Sequence, residues 1–245
     1  MSYKGTNYHG FQIQKNAVTV QYVFQEALQR VLGELPGIKG CSRTDAGVHA
    51  REYCVSFRTP SEISCENLVG ALNFYLPSDI RVRSAEEVCD GFHARYSCKA
   101  KRYCYLVYNS RVMDPFLEGL AFRFTPFIDV EELNRAAGYF VGKHDFAPFS
   151  ANRGDVKDTQ RQVFCFTVAR QGDLVTFLVT ADGFLYNMAR VMAGTLLSVA
   201  RGALEPNEID EIFAKNKRTS RCFTAPPWGL YLDRVYYGFR DTEWK

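Results

Sequence analysis

Near the start of the chain, apolar residues recur at helical spacing. In TVQYVFQEALQRVLGELPG they fall at Val20, Val23, Phe24, Ala27, Leu28, Val31 and Leu32, one face of a helix, with Thr19 suited to the N-cap and Gly33 to the stop. The period then drops to two: HAREYCVSFRT sets Tyr53, Val55 and Phe57 against Cys54, Ser56 and Arg58, which predicts a strand. A second helix is expected over CENLVGALNFYL, closed by Pro77, and two more strands over RVRSAEEV and AKRYCYLVYN.

The second half repeats this grammar. DVEELNRAAGYFVG predicts a helix with Leu133, Ala136, Ala137, Phe140 and Val141 inward and Gly142 as its stop, and RQVFCFTVARQGDLVTFLVTA a hairpin turned at Gln171-Gly172-Asp173. A long helix over FLYNMARVMAGTLLSVARG turns Met188, Val191, Met192, Leu196 and Val199 to the core; a short helix over PNEIDEIFAKN and a strand over GLYLDRVYYGF follow. Two similar halves that mix helices with mainly antiparallel strands predict an α+β fold, divided into residues 1–98 and 99–245 with no flexible linker. The alternation is too irregular for a doubly wound parallel sheet.

At 245 residues, 47% hydrophobic and 23% charged, the chain has an ordinary globular composition. No window approaches the roughly 18 apolar residues of a membrane span, and MSYKGTNYHG is no signal segment, so a cytoplasmic protein is expected. The eight cysteines, at 41, 54, 65, 89, 98, 104, 165 and 222, form no C-x-x-C pair and no zinc spacing with histidine. Reduced thiols are expected, with no disulfide framework and no metal.

A net charge of +3 is too small to demand a polyanion, but its placement is informative. HARYSCKAKRYCYLVY sets Arg95, Lys99, Lys101 and Arg102 among Tyr96, Tyr103, Tyr105 and Tyr108, and AKNKRTSR adds Lys215, Lys217, Arg218 and Arg221. Cations interleaved with rings suit phosphate contact plus base stacking; a solvated strand face would look the same. The polar stretch KHDFAPFS to ANRGDVKDTQR, with Arg153, Lys157 and Arg161, is equally open as an RNA contact or a solvated loop.

The stretch GCSRTDAGVHA puts Arg43, Thr44 and Asp45 just before Gly47. On its own it reads as a tight turn feeding the next strand. With YKGTNYHGFQIQ, TVQ, FHARYS, KRYCY, GFLYNMARVMAGTL and GLYL in order around it, however, the chain resembles the TruA family of tRNA pseudouridine synthases from Tyr3 to about Tyr237. The resemblance implies a pseudouridine-synthase-like fold, with the sheets of the two halves joined into one extended sheet flanked by helices. It implies isomerisation of uridine at positions 38, 39 and 40 in the anticodon stem-loop of tRNA, with no cofactor, by a homodimer that grips the tRNA across both subunits.

By the same resemblance, Asp45 is the nucleophile and Arg43 helps displace the target base and fill its place. Tyr103 stacks on the uracil and serves in proton transfer, Arg190 pairs with the aspartate, and Leu230 lines the pocket. Read from the residues alone, Arg190 could also snorkel at a helix edge and Tyr103 could be a cross-strand aromatic. His49 and His93 read as packed or backbone-bonded, and His9 and His144 have no ligand partners. The chain departs from the family at Ser42, where Gly is usual, and at Phe11, where Trp is usual. Only Met1 and Ser2 precede Tyr3 where relatives have most of a strand, which leaves open whether a strand is missing here; a missing strand would expose a sheet edge. The absence of a P-loop, dinucleotide fingerprint or metal cluster fits an isomerisation that exchanges no atoms with other reactants. A non-catalytic RNA-binding module, with Asp45 as a turn residue, is the alternative from another class; a hydrolase would need a second acid beside Asp45.

Overall fold

The chain's computed structural model describes residues 1–151 and 158–238. Its elements are β1 (Ser2–Tyr3), α1 (Val20–Leu32), β2 (Lys39–Gly40), β3 (His49–Ala50), β4 (Val55–Ser56), α2 (Cys65–Tyr75), β5 (Ile80–Arg81), β6 (Ala100–Tyr108), β7 (Phe122–Arg123), α3 (Val130–Gly138), β8 (Gly142–Asp145), β9 (Gln160–Gln171), β10 (Leu174–Ala181), α4 (Met188–Ala200), α5 (Glu208–Lys215) and β11 (Leu230–Tyr236). The class is α+β, as the sequence predicts. Among the described residues two compact units divide it: Met1–Lys99 together with residues 231–238, and Ala100–Leu230.

In the first unit α1 follows its sequence signals closely. Thr19 accepts the amide of Tyr22 at 3.3 Å, Gly33 ends the helix at φ 73°, and Val20, Phe24, Ala27 and Leu28 are buried. α2 packs against α1 and is capped by Ser64. The strand order is β5-β1-β3-β11, with β1 antiparallel to both neighbours and β11 parallel to β3. The first residues therefore do form a strand, short but paired on both sides. By contrast, the strand expected over RVRSAEEV is confined to Ile80–Arg81, because the residues that follow are mostly exposed and offer no face to bury.

The strand expected from His49 to Phe57 is broken in two. The amides of Arg51 and Glu52 both turn to the carbonyl of Leu232, and that of Tyr53 to Met1. The chain thus leaves one ladder after Ala50 and joins another at Val55, opposite Gly40 of β2. Burial does not alternate along the stretch either: Tyr53 is buried and Arg58 exposed, but Cys54, Val55, Ser56 and Phe57 are all half-buried.

The second unit is built on longer strands. β10 lies between β6 and β9, β8 extends the sheet beyond β9, and β7 runs parallel to β6. The hairpin turns through Gly172 and Asp173, pairing Gln171 with Leu174. α3 ends at Gly138, four residues before the expected stop, because the chain turns to bury Phe140 against Phe149, Phe166 and Phe213. Gly142 instead opens β8, and Val141 is exposed. KHDFAPFS, read as a polar connection, in fact drives Phe146 and Phe149 into the core. α4 packs on β6 and α3; all of its residues except Arg190 and Ala200 are buried, so it is a core helix rather than an amphipathic one. Among the described residues no helix is long and apolar enough to cross a membrane.

Candidate functional site

Asp45 lies in the first unit, in the turn that joins β2 to β3. The amide of Val48 donates to the Asp45 carbonyl at 3.2 Å, and Gly47 takes φ 77° inside that turn. The N-terminal segment grips the turn's backbone: the Phe11 amide donates to the Thr44 carbonyl at 3.1 Å, and the Gly47 amide donates to the Tyr8 carbonyl at 3.1 Å. Gly10, at φ 83°, permits this approach, since a Cβ there would stand 2.5 Å from the Thr44 carbonyl oxygen. Two tyrosine hydroxyls complete the hold. Tyr3 shares a buried hydrogen bond with the Thr44 hydroxyl at 2.8 Å, and Tyr53 donates to the Ser42 carbonyl.

Burial follows from this clamp. Thr44 points inward and is buried, Arg43 is exposed, and Asp45 is half-buried. Ser42 needs no positive φ: among the described residues only Asn187 and Asn216 adopt one without being glycine. His49 is buried, accepts the Gly5 amide at 2.9 Å and stacks on Tyr231 with ring centroids 4.6 Å apart. His93 accepts the amides of Arg95 and Tyr96 through Nδ1.

Tyr103, Leu230 and Arg190 lie in the second unit. Tyr103 sits on β6 opposite Val179, buried, its ring meeting that of Phe184 edge-on at 4.7 Å. Tyr103 and Leu230 line one narrow apolar hollow, together with Phe166, Phe177 and Ala189. Tyr105 lines it as well and donates its hydroxyl to the Pro226 carbonyl at 2.9 Å; burial pushes this phenol far above its ordinary pKa, so it remains a neutral donor. Arg190 follows Ala189 in the first turn of α4, half-buried. Its Nε donates to the Ala225 carbonyl at 2.7 Å and its Nη1 to Oδ1 of Asn187 at 2.8 Å.

The basic stretches divide by what their side chains bond. Lys215 pairs with Glu211 and Arg221 with Glu208, while Arg218 donates to the Cys222 carbonyl and the Thr224 hydroxyl. These cations serve the local fold first. Of the aromatic partners, Tyr103 and Tyr105 are buried, whereas Tyr96 is 76% exposed and has the Arg95 guanidinium 5.9 Å from its ring centre. Arg161 belongs to β9 and donates to the carbonyls of Asp158 and Gln160, so it is no loop residue; Arg153 and Lys157 lie outside the described residues. No group of three or more His, Cys, Asp or Glu side chains among the described residues could hold a metal ion.

Sequence reasoning missed the groups that hold the candidate residues. Tyr3, Tyr8, Gly10 and Tyr53 fix the Asp45 turn from more than thirty residues upstream or eight residues downstream, distances at which no local pattern reports. Asn187 did carry a signal, as an Asn just ahead of a helix. Ala225 carried none.

A family profile described as tRNA pseudouridine synthase matches residues 1–97 and 136–238. Among similar proteins, tRNA pseudouridine synthase A of Ruminiclostridium cellulolyticum is 46% identical over 97% of both chains. That of Thermoanaerobacter sp. (strain X514) is 43% identical over 97% of both. The enzyme of Methylacidiphilum infernorum is 44% identical over 97% of this chain and 93% of its own. With identity at this level along nearly its whole length, and a family profile matching on both sides of the β6 region, the chain belongs to the tRNA pseudouridine synthase family.

Proposed function

We propose that the protein isomerises uridine to pseudouridine at positions 38, 39 and 40 of the tRNA anticodon stem-loop, with Asp45 as nucleophile and without a cofactor. The reaction breaks the bond from C1′ to N1, turns the uracil and rejoins it to C1′ through C5. The proton on C5 is lost through a base to water and N1 takes up another, so the product is an isomer of the substrate and no co-reactant is consumed. Asp45 adds to the sugar or to the base as a carboxylate, which must stay ionised where water is scarce; the Arg190 guanidinium paired with it favours that form.

A uridine in a stem is out of reach until it leaves the stack, at a cost of about a few kcal/mol. Stacking on Tyr103 recovers about 1–3 kcal/mol of this, Arg43 fills the vacated place, and Leu230 closes the apolar side of the pocket. A homodimer in the cytoplasm would combine the modest positive charge of two chains along one tRNA. The observation that carries this reading is the turn around Asp45. Its backbone is fixed at Ser42, Thr44, Gly47 and Val48, so a half-buried carboxylate is presented with little freedom to lose.

Asp45→Asn tests the reading by tritium release from C5-labelled tRNA, with tRNA binding measured in parallel. Release is expected to fall by at least about 10³-fold while binding changes little. Undiminished release would overturn the assignment and favour a role in RNA binding alone.

A further inference from the structure

Downstream of α5 the chain runs back along α4 as an extended strap. It touches the helix at three positions, each four residues from the next. The Ser198 hydroxyl donates to the Arg221 carbonyl at 2.6 Å. The Phe223 carbonyl presses on Gly194, where any Cβ would collide with it. The Ala225 amide donates to the Arg190 carbonyl at 3.1 Å, and the Ala225 carbonyl accepts Nε of the same residue. Residues 190, 194 and 198 share one helix face, so the strap follows a single ridge and ends on the arginine.

The strap is fixed along its own length. Arg218 donates to the Cys222 carbonyl at 2.8 Å and to the Thr224 hydroxyl at 3.0 Å, Arg221 is paired with Glu208, and the Pro226 carbonyl accepts the Tyr105 hydroxyl. Opposite it, Asn187 holds φ 59°, a left-handed conformation that only Asn216 shares among described non-glycine residues. Left-handed backbone is a strained choice for a residue with a side chain. At the head of α4 it gives no helix cap in return, since the Asn187 side chain bonds no backbone amide there. What its Oδ1 does accept is Nη1 of Arg190.

We infer that Asn187 and the Ala225 carbonyl form a preset clamp, and that Asn187 is a positioning residue for the Arg190 guanidinium. Two edges of one planar fork, Nε and Nη1, are tied to fixed acceptors, which sets its plane and direction before substrate arrives. The inference rests on the role proposed for Arg190.

Asn187→Gly separates side chain from backbone, because glycine takes the left-handed conformation readily and lacks only the amide. Asn187→Asp keeps both the conformation and an acceptor oxygen. For Asn187→Gly, kcat for tritium release is expected to fall by about tenfold or more, with KM within about twofold and unchanged Tm, as a misaimed group costs rate rather than folding. Asn187→Asp should recover most of the rate. Arg190→Lys, measured beside them, is expected to lose more than either. If Arg190→Lys is depleted while Asn187→Gly keeps full kcat, the clamp is wrong and the role of Arg190 stands. If Arg190→Lys is itself fully active, the role of Arg190 fails and the clamp with it.

Discussion

The two units fix their candidate site residues by opposite means. In the first, the strands flanking Asp45 are two residues long, and the turn is held by backbone amides and tyrosine hydroxyls brought from Tyr3 to Phe11 and from Tyr53. In the second, β6, β9 and β10 run 9, 12 and 8 residues, α4 is buried on nearly every side, and Arg190 is held through its own side chain. A carboxylate on a short stem is aimed by aiming its backbone. A guanidinium on a long stem has to be aimed at its far end. The loop that looks least regular is therefore the one whose backbone tolerates least.

The largest test of that contrast sets two glycines of the first unit against each other. Gly10 and Gly33 both have positive φ, but a Cβ at Gly10 meets the Thr44 carbonyl, whereas one at Gly33 meets nothing within 4 Å. Gly33→Ala should cost about 1 kcal/mol from conformation alone, and Gly10→Ala about 3 kcal/mol or more, with activity lost out of proportion. Equal losses in urea unfolding would mean that the N-terminal segment does not grip the turn. Next in size is Tyr3→Phe. It leaves the buried Thr44 hydroxyl without this partner and should cost about 1–2 kcal/mol, read in the same unfolding experiment.

The smallest effect belongs to the second unit and is set by pH. Asp145 accepts from Thr159 at 2.6 Å, from the Ala147 amide at 3.0 Å and from Asn216 at 2.9 Å; the Thr159 bond contributes most to holding its carboxyl below the usual range. A carboxyl with a depressed folded pKa adds stability that is fully present above its unfolded pKa, about 4, and disappears as pH falls through the folded value. Asp145→Asn should therefore be less stable than the parent at pH 7, by under about 1 kcal/mol because solvent screens the group, and the gap should close below pH 4. A gap that persists unchanged at pH 3 would assign the effect to packing.

Legibility in the sequence followed the reach of the contacts and not the division into units. α1 could be read from end to end because its cap, its apolar face and its stop are all local. The hairpin of β9 and β10 was legible for the same reason. The break between β3 and β4 was not, since alternation records which side is buried and not which strand lies alongside. The early end of α3 was hidden because Phe140 and Val141 continue the helical apolar pattern, and the rings that Phe140 turns to meet, Phe149, Phe166 and Phe213, lie further along the chain, the last more than seventy residues on. Asp45, Arg190 and Tyr103 stood out through the motifs around them. What holds each one lies outside its motif, as with Gly10 for Asp45, or inside it, as with Asn187, whose place ahead of a helix suggested a cap and not a hold on Arg190.

The parallel pairing of β11 with β3, Tyr231 on His49 and Leu232 on Ala50, has a consequence for synthesis. The segment carrying Asp45 leaves the ribosome about 180 residues before the strand that completes its sheet. The second unit, contiguous from Ala100 to Leu230, can close in the meantime; the first stays open until β11 is made. A stalled chain that stops short of Tyr231 would display a sound second unit and, in the first, a β3 that still lacks its parallel neighbour.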